Sequence, residues 1–272
     1  MIRYLFISVL IFIISCSDKK QPADISVIRD SINAISTNKK MVKIDSGSYQ
    51  AFYGKDSGNI VRVKAFYLDE TAVTNAEYLK FLKANPQWTR NNVLRLKADE
   101  NYLKNWKSDF EFPEGVSPDA PVTNVSWFAA VAYAKSVGKR LPTVDEWEFA
   151  ALADEHTANA SLKPEFTAYI LNSYQKKYKY KKPVKQNRPN YYGLYDMYGV
   201  VWEWTEDFSS VMMTGESRND KSENEGLYCA AGALTSSDLR NYAAFMRFAL
   251  RGSIQANYCI NNLGFRCAKD ID

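Results

Sequence analysis

The residues able to do chemistry in this 272-residue chain are few: four cysteines, one histidine, and small groups of carboxylates, arginines and tryptophans. A pair of thiolates would make a redox centre or a soft-metal site. Cys16 closes an N-terminal apolar run, which leaves Cys229, Cys259 and Cys267, an odd set in which at most one internal disulfide can form. His156 stands alone, so no histidine-rich metal centre and no Ser/His/Asp hydrolytic set can be assembled. Asp145, Glu146 and Glu148 crowd three carboxylates into four positions, a spacing that suits acid–base work. At the head of a helix, however, such residues complement the macrodipole. Trp202-Glu203-Trp204 offers one oxygen ligand between two indoles, so Glu203 with nearby backbone carbonyls is a weak candidate for a calcium ion. Trp202 and Trp204 would either line a cleft or, at two-residue spacing, form one buried and one half-buried strand side chain; the second reading is preferred. Arg247, Arg251 and Arg266 have the planar fork that clamps a carboxylate, although in loop-rich folds such arginines more often bind carbonyls.

The elements that must position these groups are partly legible. Val61, Val63, Ala65 and Tyr67 alternate with Arg62, Lys64 and Phe66, the period-two pattern of a half-buried strand. Thr74 and Glu77 form a capping box, Val73 and Tyr78 a hydrophobic staple, and Tyr78, Phe81 and Leu82 the apolar stripe of the helix that follows. A second helix is expected from Ser126 as N-cap, through Ala129, Ala130, Ala132 and Ala134, to Gly138 as the residue that ends it. Thr143 and Glu146 form another capping box, opening a third helix that turns Trp147, Ala150 and Ala151 inward. Beyond Leu194 the chain is rich in Gly, Ser, Asn and aromatics without sustained periodicity, which predicts short strands and long ordered loops. The whole reads as one α+β domain with modest regular secondary structure.

Bulk properties exclude several functions. The chain is 46% hydrophobic, enough for a real core, and 35 basic against 31 acidic side chains leave a net charge of +4 with no long single-sign block, which does not suggest nucleic-acid binding. The densest basic run, Lys176 to Lys182, reads as a solvated helix end or loop. Arg3 precedes an apolar run from Tyr4 to Ile14, too short for the roughly 20 residues of a membrane-spanning helix, and the run stops at Ile13-Ile14-Ser15-Cys16. This is the pattern of a signal peptide (residues 1–15) whose removal exposes Cys16 for lipidation. Residues 16–40 then read as a polar tether with one short helical pattern, and residues 41–272 as the folded domain.

Five blocks in the domain resemble the formylglycine-generating enzyme (sulfatase-modifying factor) family. They are Met41–Ile44 with Gly47; Phe66–Asp69 with Val73-Thr74-Asn75 and Tyr78; Pro121–Trp127 leading to Arg140–Ala150; Asn190–Trp204; and Gly232, Arg247 and Arg251 with Asn262–Ala268. The resemblance implies a C-type-lectin-like fold. It also implies two catalytic thiols, whose positions here fall on Asp238 and Ala243. Neither residue can be a soft ligand for an O₂-activating Cu(I) site, so copper is not expected. The family's calcium-binding asparagine corresponds to Val200, which has no side-chain oxygen and weakens that site. The cysteines that pair with the C-terminal end in the catalytic enzymes correspond to Ala134 and Ala151. The resemblance therefore implies a lipid-anchored, catalytically silent member acting as a binding or scaffold module in a bacterial cell-envelope assembly, on the periplasmic or cell-surface side. The alternative is an oxidoreductase that converts a sulfatase cysteine to formylglycine.

Lipidation at Cys16 makes a direct prediction. Cys16→Ala should lose membrane association and metabolic fatty-acid labelling, measured by fractionation; complete retention in membranes would place the anchor elsewhere.

Overall fold

The structure is a computed structural model that describes residues 32–51, 60–175, 182–210 and 239–271. Cys16, Cys229, Asp238 and the basic residues 176–181 lie outside the described residues, as do the apolar N-terminal run and most of the tether. Among the described residues no helix is long and apolar enough to cross a membrane.

Among the described residues, seven short strands and five α-helices build a mixed α+β domain. Strand β1 (Met41–Ile44) pairs antiparallel with β4 (Phe66–Asp69), which pairs antiparallel with β7 (Ala268–Asp270), so the C-terminal end of the chain closes the sheet begun at its start. Strands β2 (Gly47–Gln50) and β3 (Ile60–Val63) form an antiparallel pair, and β5 (Trp202–Glu203) runs parallel to β6 (Leu263–Gly264). The alternation expected through residues 61–67 as a single strand is interrupted at Lys64 and Ala65. Val63 is buried, but beyond the break Phe66 and Leu68 face inward where Ala65 and Tyr67 were expected. The shift has a cause in pairing, because β3 and β4 belong to different sheets and each must present its own apolar face.

The capped helices form as the sequence predicts. Helix α1 (Asn75–Ala84) has both halves of the Thr74–Glu77 capping box and buries Tyr78, Phe81 and Leu82. Helix α2 (Trp127–Ser136) is capped by the Ser126 hydroxyl and is followed by Gly138 at φ 67°, the left-handed conformation that glycine supplies without strain. Helix α3 (Val144–Ala151) carries the Thr143–Glu146 box, and Asp207 accepts a further first-turn N–H, that of Val144, at 2.7 Å. Helix α4 (Pro164–Gln175) buries Phe166 and Ile170.

Two expectations are corrected. The loop-rich region beyond Leu194 contains helix α5 (Leu239–Ser253), a 15-residue helix. Its arginines and aromatics at 242, 247, 248 and 251 obscured an amphipathic period that buries cations as well as apolar groups. Residues 32–40, read as tether, pack on the domain: Ile32 and Ile35 touch the core, and Asn33 and Asn85 exchange hydrogen bonds of 2.7 and 3.1 Å.

The core has two clusters. One gathers Tyr78, Phe81, Tyr133, Trp204 and Phe265, with α1 and α2; the other gathers Ile44, Phe66, Leu68, Trp147 and Tyr198. Gly264 is required where β6 passes the first cluster, since an added Cβ would stand 2.5 Å from the Val122 carbonyl oxygen. Because Thr143 holds the Glu146 N–H at 3.1 Å while Glu146 holds the Thr143 N–H at 2.9 Å, Thr143→Ala should cost about 1 kcal/mol, read from chemical unfolding. A midpoint equal to wild type would remove that role.

Candidate functional site

Adjacent residues of α3 point into two charge clusters. Glu148 is buried, and Arg247 of α5 grips it through Nε at 2.9 and 3.0 Å and Nη2 at 2.6 Å, while Arg251 donates from Nη1 at 2.7 Å. Arginines four residues apart lie on one helix face, so the 247/251 spacing directs both guanidinium groups at one carboxylate. Burial alone would push the Glu148 carboxyl up, but the two cations outweigh it and hold it down, to about 2. The guanidinium carbons of Arg247 and Arg251 also lie 5.8 and 5.4 Å from the Trp147 ring centroid. The Trp147 indole N–H donates to Glu203 Oε2 at 2.7 Å.

Glu203 in turn is held by Arg266, through Nε at 2.8 Å and Nη2 at 2.9 Å. Arg266 is fully buried and donates its remaining N–H groups to the carbonyls of Asp69, Glu70 and Tyr195. Arg266 thus fits both sequence readings, carboxylate clamp and carbonyl binder, whereas Arg247 and Arg251 turn chiefly to a carboxylate and only Arg247 adds a carbonyl, that of Ala243 at 3.0 Å. The macrodipole reading of Glu148 is corrected: it stands beyond the first turn of α3 and serves as the buried counter-ion of α5. Asp145 and Glu146 remain in the first turn. Trp204 is buried with its N–H on the Val125 carbonyl at 2.9 Å, and half-buried Trp202 stacks on Tyr174.

A cleft of about 680 Å³ opens beside this cluster, lined by Tyr49, Glu148, Phe166, Ala243, Arg247 and Phe248 among others. Ala243, on the first turns of α5, is 2% exposed, and its carbonyl also meets the Tyr174 hydroxyl at 3.4 Å. The Tyr49 hydroxyl donates to Asp145 at 2.7 Å, and burial together with that carboxylate pushes its pKa far up. Cys259 and Cys267 are free, buried thiols that do not line the cleft. Burial raises both, helped at Cys259 by Asp99 and at Cys267 by Asp69, so neither is a thiolate near neutral pH. Ala134 lies in the same core cluster as Cys267 and offers it no sulfur.

The residues present do not fit calcium at Glu203. Arg266 and Trp147 occupy its two oxygens, Val200 contributes no side-chain oxygen, and among the described residues no three His, Cys, Asp or Glu side chains converge. Nor does Ala243 fit copper. His156 lies apart from this cleft. What sequence reasoning missed is the pairing of Glu148 with α5 and of buried Asp69 with Lys139 at 2.5 Å. The four-residue arginine spacing was the available signal for the first.

Glu148 carries a pH signature. Its carboxyl is depressed in the folded state, so its contribution is present above the ordinary value of 4.5 and is lost as pH falls from there toward about 2. Stability should drop across that window by on the order of 3 kcal/mol, as measured by urea unfolding. Glu148→Gln should be less stable at neutral pH and show a shallower acid slope, and an unchanged slope would contradict the pairing.

Comparison with known proteins gives the family. The family model described as "Sulfatase-modifying factor enzyme 1-like domain" matches residues 30–271. The formylglycine-generating enzyme of Streptomyces coelicolor is 32% identical over 261 residues, covering 80% of this chain and 82% of its own. The inactive C-alpha-formylglycine-generating enzyme 2 of Mus musculus is 30% identical over 251 residues, covering 79% and 78%. Among solved structures, PvdO from Pseudomonas aeruginosa aligns with a TM-score of 0.46 at 19% identity, covering 85% of this chain and 94% of its own. With the match spanning nearly the whole described domain, the chain belongs to the sulfatase-modifying factor enzyme 1-like family.

Proposed function

We propose that the protein is a lipid-anchored, catalytically silent member of this family that works as a binding or scaffold module in a cell-envelope assembly. The observation that carries the silence is Ala243. The position aligned with one of the family's two thiols is a buried alanine whose carbonyl is held by Arg247, and Asp238 replaces the other. Cys259 and Cys267 cannot take over, since both are protonated and lie away from the cleft. The carboxylate that lines the cleft is also committed: Glu148 is neutralised by two arginines. What remains is a cavity whose aromatic and apolar walls are interrupted by polar side chains and the Glu148–Arg247 pair, suited to holding a peptide segment or small ligand. Anchoring rests on Cys16 and the apolar run before it.

The alternative, a formylglycine-generating oxidoreductase, draws on the likeness to the Streptomyces coelicolor enzyme. It requires two thiolates that Asp238 and Ala243 do not provide. Purified mature protein given Cu(I), O₂ and a peptide containing Cys-x-Pro-x-Arg should yield no aldehyde above a no-enzyme control. Aldehyde formation would establish the oxidoreductase instead. Asp238→Cys/Ala243→Cys should gain Cu(I) binding by titration if only the ligands have been lost.

A further inference from the structure

Between Glu77 and Asp99 the chain carries Lys80, Lys83, Arg90, Arg95 and Lys97 and not one acidic residue. The spacing hides this from a search for runs, but the fold gathers it at the end of α1 and the turns that follow. Lys80, Lys83, Arg90 and Arg95 are exposed. Arg90 and Arg95 donate to the backbone carbonyls of Trp106 and Asp99, which are neutral acceptors, while the Asp109 carboxylate is engaged by Asn91. Set among them are two leucines on the surface, Leu94 at 53% and Leu96 at 83% exposure. The turn is nevertheless firmly built: Val93 and Ala98 are buried, and the Leu94 carbonyl accepts the N–H groups of Lys97 and Ala98 at 2.8 and 3.1 Å. Two exposed leucines flanking Arg95 on a hydrogen-bonded turn differ from the isolated surface leucine that any protein carries.

The N-terminal segment of the domain is bonded to the end of α1. Asn33 is bonded to Asn85 and to the Ala84 carbonyl, and the next residue, Pro86, accepts the Asn92 side-chain amide at 3.0 Å. A continuous set of hydrogen bonds therefore runs from the first described residues to the leucine turn. Only 16 peptide steps separate Cys16 from Ile32, a reach of at most about 55 Å.

We propose that residues 90–97, with Lys80 and Lys83, form a membrane-contact face: Leu94 and Leu96 enter the interfacial region of an anionic bilayer while the surrounding cations meet its headgroups. The proposal rests on the anchored reading of Cys16. It gives the tethered domain a fixed orientation, with α1 and its following turn toward the lipid.

Hydrogen exchange with flotation separates the two ideas. Lipidated mature protein in phosphatidylglycerol-containing vesicles should float and show amide exchange over residues 90–98 slowed about tenfold relative to phosphatidylcholine vesicles. Leu94→Gln/Leu96→Gln should still float but lose the slowing. Flotation with exchange equal in the two vesicles, or slowing that survives the double variant, would overturn the contact face while sparing the anchor. Failure to float would overturn the anchor. In that case the unlipidated Cys16→Ala protein still tests the face: at low salt it should bind phosphatidylglycerol vesicles, about fivefold more weakly for each of Arg90, Arg95 and Lys97 changed to Gln. Equal binding by wild type and the charge variants would overturn the proposal.

Discussion

The Trp147 side chain joins two buried charge clusters, and the rest of the domain is arranged around that junction. Its N–H satisfies Glu203, which is clamped by Arg266, and its ring lies under Arg247 and Arg251, which neutralise Glu148. Buried charges are tolerable only when paired and fully hydrogen-bonded, so each arginine fixes the segments it touches. Arg266 ties the end of β4, the loop at Tyr195, β5 and the segment before β7. Arg247 and Arg251 tie α5 to α3. A fold with strands of two to four residues has few ladder hydrogen bonds to spare, and these side-chain networks supply the long-range order in their place.

That constraint explains what much of the family signature does in this chain. The Arg140–Ala150 block is a capping box followed by the Trp147–Glu148 pair, and the Asn262–Ala268 block is Gly264's close approach to Val122 followed by Arg266. Asn190 accepts the N–H groups of Tyr192 and Leu194, shaping the turn that leads to β5. Gly199, at φ 88°, lets the chain pass Ser173, where a Cβ would come within 2.8 Å. None of these roles involves a thiol. The cleft is bounded by one of these structural clusters, the Glu148–Arg247 pair.

Legibility in the sequence followed the range of the interaction. Capping at Thr74, Ser126 and Thr143 was readable because both partners lie within three residues, and the α+β class followed from those helices and the short alternating segments. The break between β3 and β4 was not, since it is set by which distant strand each segment pairs with. Helix α5 escaped because its inward face bears arginines, whose counter-charge Glu148 lies about a hundred positions earlier in the chain. Of the candidate site residues, Arg247, Arg251 and Arg266 were open to carboxylate or carbonyl partners, and each meets a carboxylate, with carbonyls added at Arg247 and Arg266; Glu203, only a weak calcium candidate, pairs with Arg266.

The most direct test of the junction is a double-mutant cycle between Glu148 and Arg247, read by equilibrium unfolding at neutral pH. Glu148→Gln leaves two buried arginines without their counter-ion and should cost about 3–5 kcal/mol, while Arg247→Met, which leaves Glu148 with Arg251 alone, should cost less. The double variant should cost clearly less than their sum, a coupling of at least about 1 kcal/mol. Strictly additive losses would contradict the account, because they would mean that α5 is held on α3 by something other than this buried pair.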